Sequence, residues 1–388
     1  MAQQPITADS KIRIAAVSSP KELNDFIHVV DAIYAGCQQY VPDLESDIRD
    51  FFRKETNAGL AFSDIYPLVA YQNGKAVGRI VGIINHRANQ KWGTSVVRFS
   101  MIEFIDDVTV AKALLDAVAE WGLSQGMKTL QGPMGITDFD KEGMLVEDFH
   151  LTGTMSTIYN PPYYPSHLEA LGFQKEADWV QIRVNLPDEV PARFARIAQY
   201  VQDAMKLRVI KLTNADIRKG GYGQKVFAML NEAYAPLFGF SDLSPEQVDE
   251  YLKKYLDLID KQLIPVVVNE KDEVVAAAIT MGCMSEAMQK AKGRLWPFGW
   301  WHLLKALRWH HEPSVEMLLI GVRPDYQGLG VNALFFNDLI PIYKRYGFQW
   351  AETGPQLEDN ARELAQWKTL SPEYVKRRRC YKKSILNS

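Results

Sequence analysis

The chain lacks most of what marks a secreted, membrane-spanning or nucleic-acid-binding protein. It has three cysteines in 388 residues, Cys37, Cys283 and Cys380, far apart and without metal-ligand spacing. Three scattered thiols exclude a disulfide framework and suit free cysteines in a reducing compartment. No run of about 18 uncharged apolar residues occurs, so no transmembrane helix is expected. The start, Met1-Ala2-Gln3-Gln4-Pro5-Ile6-Thr7, is polar and has no signal-peptide core, so a cytoplasmic location is expected. A formal net charge of −3 supplies no global field for nucleic acid. Metal ligation is not expected: His310 and His311 are adjacent and diverge in a helix or a strand. The glycines of Lys219-Gly220-Gly221-Tyr222-Gly223-Gln224-Lys225 do not follow the order of a nucleotide P-loop. A basic run, Lys376-Arg377-Arg378-Arg379 with Lys382 and Lys383, reads as a solvated edge strand that discourages sheet aggregation. Contact with the 3′-phosphate of a cofactor is its second reading.

What is present is length and apolar content. A chain of 388 residues with 47% hydrophobic and 23% charged side chains suffices for two globular domains. Its sharpest local feature is Val322-Arg323-Pro324-Asp325-Tyr326-Gln327-Gly328-Leu329-Gly330-Val331. The apolar run Met317-Leu318-Leu319-Ile320 before it predicts a buried strand, and Asn332 to Ile340 after it predicts a helix. A helix entered through a glycine-rich turn presents backbone N–H groups that have no intrahelical partner. With the positive end of the helix dipole they suit a phosphate.

The two halves share one grammar. In the carboxyl half, Arg208 to Leu212 predicts a strand, and helical patterns follow near 224–234 and 245–260. Ser244 is an N-cap and Pro245 the first helical residue of the second pattern. Ile264 to Val268 and Val274 to Ile279 predict a hairpin about Asn269-Glu270-Lys271-Asp272. Then come a strand over 315–322, the turn and its helix, and a strand over 349–353. In the amino half a strand over 12–17 precedes helices near 20–34 and 44–52. A hairpin over 68–71 and 76–81 turns at Asn73-Gly74, the strongest short hairpin signal in the chain. A strand over 96–105 and a helix over 110–123 follow. Punctuation repeats too: Gly126 precedes a strand ending in Gly132-Pro133, and Gly347 one ending in Gly354-Pro355.

The turn and the order of elements resemble the GNAT superfamily of acyl-CoA N-acyltransferases. In that superfamily a strand ends near Val-x-Pro, and a Gln/Arg-x-x-Gly-x-Gly/Ala turn wraps the CoA pyrophosphate. Gln327 and Gly330 match, whereas Asn332 stands where the family has Gly or Ala. The segment Asn160-Pro161-Pro162-Tyr163-Tyr164 with Leu168 to Phe173 resembles the closing helix and Gly-Phe of such a lobe. The resemblance implies an α/β (α+β) protein of two fused GNAT-like lobes, each a mixed, mainly antiparallel twisted sheet flanked by helices. The expected division is an amino lobe over 1–187, a linker helix over 188–204 and a carboxyl lobe over 205–388. Acetyl-CoA or another acyl-CoA would bind the carboxyl lobe through Ile320, Val322, Gln327, Gly328, Leu329, Gly330, Val331, Asn332 and Asn360. Asn360 also fits a helix N-cap. In the amino lobe Asp106-Asp107 replaces the phosphate turn, and a carboxylate about 5 Å from a phosphate is repelled by roughly 3 kcal/mol at an effective dielectric near 20. That lobe would be a degenerate cofactor site.

Acyl transfer to an amine needs a base for the ammonium. The resemblance offers Glu316, at the start of the strand before the turn, and Glu352, on the neighbouring strand. The position at which the family carries a Tyr acid is Trp367, which cannot serve; Tyr326 and Tyr381 are substitutes, and packing residues otherwise. The acceptor would be a small-molecule or lipid-like amine. A non-catalytic acyl-CoA or lipid-binding protein is the rival reading. The insertion from Leu295 to Trp309 carries four Trp on a cationic segment between two core strands. It reads as a helix packed between the lobes, a lid over an apolar acceptor, or a peripheral membrane contact through Trp296 to Trp309.

Overall fold

The computed structural model describes residues 12–255, 258–309 and 312–386. His310, His311, the extreme amino terminus and part of the predicted 245–260 helix lie outside them. The strands are β1 (Arg13–Ala16), β2 (Ser63–Gln72), β3 (Lys75–Asn85), β4 (Val96–Phe104), β5 (Thr129–Gly132), β6 (Met144–Leu145) and β7 (Gln174–Asn185). They continue as β8 (Arg208–Lys211), β9 (Pro265–Val268), β10 (Val274–Gly282), β11 (Ser314–Val322), β12 (Trp350–Thr353), β13 (Gln356–Leu357) and β14 (Glu373–Ser384). They form one 14-stranded sheet in the order β1-β2-β3-β4-β5-β14-β7-β12-β11-β10-β9-β8, with β13 on β7 and β6 on β14. Most neighbours are antiparallel; β4–β5 and β11–β12 are parallel.

Local chemistry explains most of these elements. Asn73 (φ 52°) and Gly74 (φ 76°) take the left-handed values that a two-residue hairpin turn needs between β2 and β3. Ser19 and Glu22 form a capping box on the helix Pro20–Ile33. The helix Asn332–Tyr346 stops at Gly347 (φ 80°). The linker helix spans Ala192–Met205 and buries Phe194, Ala198 and Val201. Phe194 stacks on Phe336 with ring centroids 4.6 Å apart, so this helix is packed onto the carboxyl lobe.

Two expectations need correction. The sequence division places 373–388 wholly in the carboxyl lobe, yet β14 pairs with β5 as well as β7. The last strand thus completes the amino lobe's sheet, and β7 joins β14 to β12 of the carboxyl lobe. The basic run is also no solvated edge. β14 is an interior strand in which Lys376 and Arg378 are buried. Lys376 Nζ donates to Glu352 Oε1 at 2.6 Å. Arg378 donates to Gln181 Oε1 at 2.9 Å and Thr157 Oγ1 at 2.9 Å. Buried cations are tolerated where such partners replace water.

Candidate active site

The turn after β11 is built as its sequence suggests. Gly328 (φ 78°) and Gly330 (φ 85°) take left-handed values. Gln327 Nε2 donates to the carbonyl of Val322 at 2.9 Å and clips the turn shut. Gln327 N–H donates to Pro324 O at 3.3 Å and Leu329 N–H to Tyr326 O at 3.4 Å. Among the described residues, the amides of Gly328, Gly330, Val331 and Asn332 have no protein partner. Four open amides at the start of a 15-residue helix fit a diphosphate. An added Cβ at Gly328 would meet nothing within 4 Å, so that side of the turn is open. At Gly330 it would meet Ile197 Cγ2 at 2.7 Å. The missing Cβ at Gly330 therefore serves close packing against the linker helix. The corresponding turn of the amino lobe is closed: Asp107 Oδ1 accepts from Thr109 N at 2.8 Å and caps the helix Val108–Ser124.

Upstream of the turn, β11 parts from β12. The two pair in parallel from Ser314↔Trp350 to Met317↔Thr353, and β13 continues along β7 instead. Where they part, β11 carries a bulge: Ile279 faces Leu319 and Thr280 faces Met317, leaving Leu318 unpaired. Arg323 N–H donates to Val275 O, so alternation turns the amides of Ile320 and Val322 away from β10, into the gap. Ile320 is already engaged. Its N–H donates to Tyr234 Oη at 3.2 Å, and Tyr234 donates to Ile320 O at 2.8 Å. A thioester chain would have to displace Tyr234 to use Ile320.

The gap opens into a cavity of about 1730 Å³ that runs from the turn to the amino lobe. Ligand pockets are commonly about 300–1,000 Å³, so the space exceeds one small ligand. Arg193, Lys368, Asn332 and Asn360 are among the polar residues that border it. Asn332 Nδ2 donates to Gln366 Oε1 at 3.1 Å; Asn360 caps the helix Ala361–Ala365 and still faces the cavity. Beyond the bulge the walls are Met155, Met281, Met284, Met288, Leu303 and Leu307. The far end reaches Glu103, whose carboxylate accepts from Tyr34 and Tyr164 hydroxyls at 2.7 and 2.8 Å.

The two candidate bases separate cleanly. Glu352 is buried and occupied on both oxygens, by Lys376 and Gln181 (3.0 Å) on Oε1 and by Arg183 (3.0 Å) on Oε2. It holds β7, β12 and β14 together with both oxygens engaged by cations and an amide, which removes it as a base. Glu352→Gln is expected to cost about 3–5 kcal/mol of stability, because Lys376 would be left a buried uncompensated cation. Urea unfolding checks this; an unchanged midpoint would contradict the buried-pair assignment. Glu316 is different. It lies on β11 two residues before the bulge, is 4% exposed, and leaves Oε1 without a partner among the described residues. Its Oε2 accepts from Ser156 Oγ at 3.0 Å, and Ser156 borders the cavity. Burial pushes the Glu316 carboxyl up to about 7.

The candidate acids do not survive. Tyr326 lies in the turn beyond Val322, with Arg323 over its ring at 4.9 Å. Val322 stands four residues beyond Leu318, about 13 Å at the usual rise, so Tyr326 lies at the turn and away from the point where the strands part. Tyr381 is buried in β14, with its hydroxyl donating to Glu169 at 3.1 Å. Trp367 is core, packed edge-on to Phe336.

Sequence reasoning missed the loop between β5 and β6. Asp138, Asp140 and Glu142 of the amino half border the same cavity, opposite Tyr234. Asp138 Oδ1 and Glu142 Oε2 have no hydrogen-bond partner among the described residues. Burial and mutual repulsion push these carboxyls up. Asp-Phe-Asp-Lys-Glu, acidic yet flanked by Ile136 and Met144, was the only signal available.

No protein-family model matches this chain. Among curated proteins it is 26% identical over 373 residues to protein YghO of Escherichia coli, covering 94% of this chain and 93% of the relative. It is 24% identical over 324 residues to the bacterial ceramide synthase of Caulobacter vibrioides, 83% of each. Among solved structures, a tandem GNAT protein from the clavulanic acid biosynthesis pathway superposes with a TM-score of 0.56 at 12% identity, over 97% of this chain and all of that one. A GCN5-related N-acetyltransferase from Sphaerobacter thermophilus gives 0.52 at 12% identity, over 98% and 97%. With the paired lobes and the strand parting before the glycine turn, these superpositions establish that the chain has the tandem GNAT fold.

Proposed function

We propose that the protein transfers an acyl group from an acyl-CoA thioester to the amino group of a long-chain, lipid-like acceptor. The observation that carries this reading is the single cavity. It joins a turn of open amides, a parted strand pair and a methionine- and leucine-walled space. The open amides with Arg193 and Lys368 would hold the diphosphate, and the parted strands would receive the pantetheine arm. The apolar space would take hydrocarbon. The relative named a ceramide synthase supports the same acceptor class, since a ceramide is the amide of a fatty acid and a long-chain amino alcohol.

Asp138, in its ionised form, would draw the acceptor ammonium into the cavity, and Glu142, held neutral by burial, would accept a hydrogen bond from it. Ser156 would take a proton from it while passing its own to Glu316, leaving a free amine. The amine nitrogen forms a bond to the thioester carbonyl carbon, the C–S bond breaks, and the nitrogen's second proton passes to the departing CoA thiolate, so CoA leaves as the thiol. A thiolate leaves without a protein acid, which accommodates Trp367 and the placement of Tyr326.

The test supplies palmitoyl-CoA or acetyl-CoA with sphinganine or with short amines, and follows CoA thiol release and amide mass. Amide from the long-chain pair, at least ten-fold faster than from acetyl-CoA and short amines, is expected. Acyl-CoA binding without thiol release for any amine would favour the non-catalytic reading.

A further inference from the structure

The chain carries formal charge −3, yet no Asp or Glu occurs between Glu286 and Glu312. Lys290, Lys292, Arg294, Lys305 and Arg308 all fall in that interval. Lys292, Lys305 and Arg308 are exposed and have no ion-pair partner among the described residues. The interval contains the helix Gly299–Arg308 and most of the helix Ser285–Ala291. On the inner face, Leu303, Ala306 and Leu307 pack against Met284 and Met288, and Leu303 and Leu307 border the cavity. The outer face is aromatic: Trp296 is 82% exposed, Phe298 73% and Trp309 60%, with Trp300 and Trp301 about half exposed.

A soluble surface seldom gathers so many large rings. Helix packing between lobes does not account for them, because the packed face is the other one. Aromatic rings beside unpaired cations are the composition that settles at the headgroup level of a bilayer. Clustered cations add attraction to anionic lipid, lost beyond a Debye length. No helix among the described residues is long and apolar enough to cross a membrane.

We infer that the segment from Lys292 to Trp309 docks the protein on an anionic lipid bilayer, rings at the headgroup level and cations toward lipid phosphates. Docking places Leu295, exposed at the edge of the cavity, at the membrane surface. A lipid amine would then pass from the bilayer into the cavity without crossing water. This use of the contact rests on the long-chain reading above; the docking itself does not.

The test is flotation of the full chain with vesicles of pure phosphatidylcholine, or of phosphatidylcholine with 30 mol% phosphatidylglycerol, at about 0.1 M salt and without any acyl donor or amine. Wild type is expected to float with the anionic vesicles, with a blue shift of tryptophan emission, and to stay behind with the neutral ones. Trp296→Ser/Phe298→Ser/Trp309→Ser is expected to lower partitioning at least ten-fold, and Lys292→Glu/Lys305→Glu/Arg308→Glu to abolish the preference for anionic lipid. All six side chains are exposed, so circular dichroism and thermal unfolding should match wild type. Wild type that does not float, or a triple aromatic variant that floats equally, overturns the proposal. So does wild type that is dimeric by light scattering where the aromatic variant is monomeric, since the rings would then face a second copy.

Discussion

Glu316→Gln is expected to lower amine acylation by a factor of roughly 10²–10⁴, with acyl-CoA affinity changed less than about two-fold. The carboxyl stands beside Ser156 and behind the point where the strands part, away from the diphosphate turn, so binding and chemistry should separate. The pH dependence follows from burial. A base works ionised, and this carboxyl is held up to about 7. Wild-type kcat/KM should therefore rise with pH through about 7 and level off above it, and the residual activity of the variant should lack that limb. Unfolding would not explain the loss. A carboxyl raised from 4.5 to about 7 stabilises the fold only in its neutral form, and that contribution disappears as pH rises through 7. At pH 8 its buried charge costs roughly 3 kcal/mol. The amide removes that cost, so the variant should unfold at an equal or higher temperature at pH 8. Full activity in Glu316→Gln, or an unchanged acid limb, would transfer the role to the carboxylates around Asp138.

Gly328→Asp is expected to weaken acyl-CoA binding about 100-fold in calorimetry. A carboxylate placed about 5 Å from a diphosphate costs roughly 3 kcal/mol at an effective dielectric near 20, and each 1.4 kcal/mol is ten-fold. The left-handed backbone adds about 1–2 kcal/mol of strain for a residue with a Cβ, less for Asp than for most. Since nothing lies within 4 Å of the added Cβ, the protein should still fold. Gly330→Ala should behave in the opposite way. Its methyl meets Ile197 at 2.7 Å, so the first effect is a lower unfolding temperature from disturbed packing of the linker helix. Equal acyl-CoA affinity in Gly328→Asp and wild type would remove the diphosphate from this turn.

Much of this architecture was legible because it is local. Asn73-Gly74 states its own turn, Ser19 and Glu22 their own cap, and the spacing of Gly328 and Gly330 the open helix start. What escaped is set by pairing across long sequence separations. Lys376-Arg377-Arg378-Arg379 has the composition of a surface edge, and only the approach of Gln181 and Glu352 from β7 and β12 makes it an interior strand. Those same contacts turn Glu352 from a candidate base into a structural anchor. Glu316 and Glu352 were indistinguishable in one dimension, both near strand starts, and differ only in who their neighbours are. The Asp138 to Glu142 loop carries no motif; its place opposite Tyr234 follows from how the lobes share β7 and β14.

The central claim is that the carboxyl lobe's turn and parted strands receive an acyl thioester whose hydrocarbon enters the shared cavity. A crystal structure with a non-hydrolysable palmitoyl-CoA thioether tests it most directly. The account predicts diphosphate density at the amides of Gly328, Gly330, Val331 and Asn332, and an alkyl chain passing Leu318 toward Met281 and Met284. Diphosphate at the Asp107 turn of the amino lobe, or an acyl chain lying outside the cavity, would contradict it.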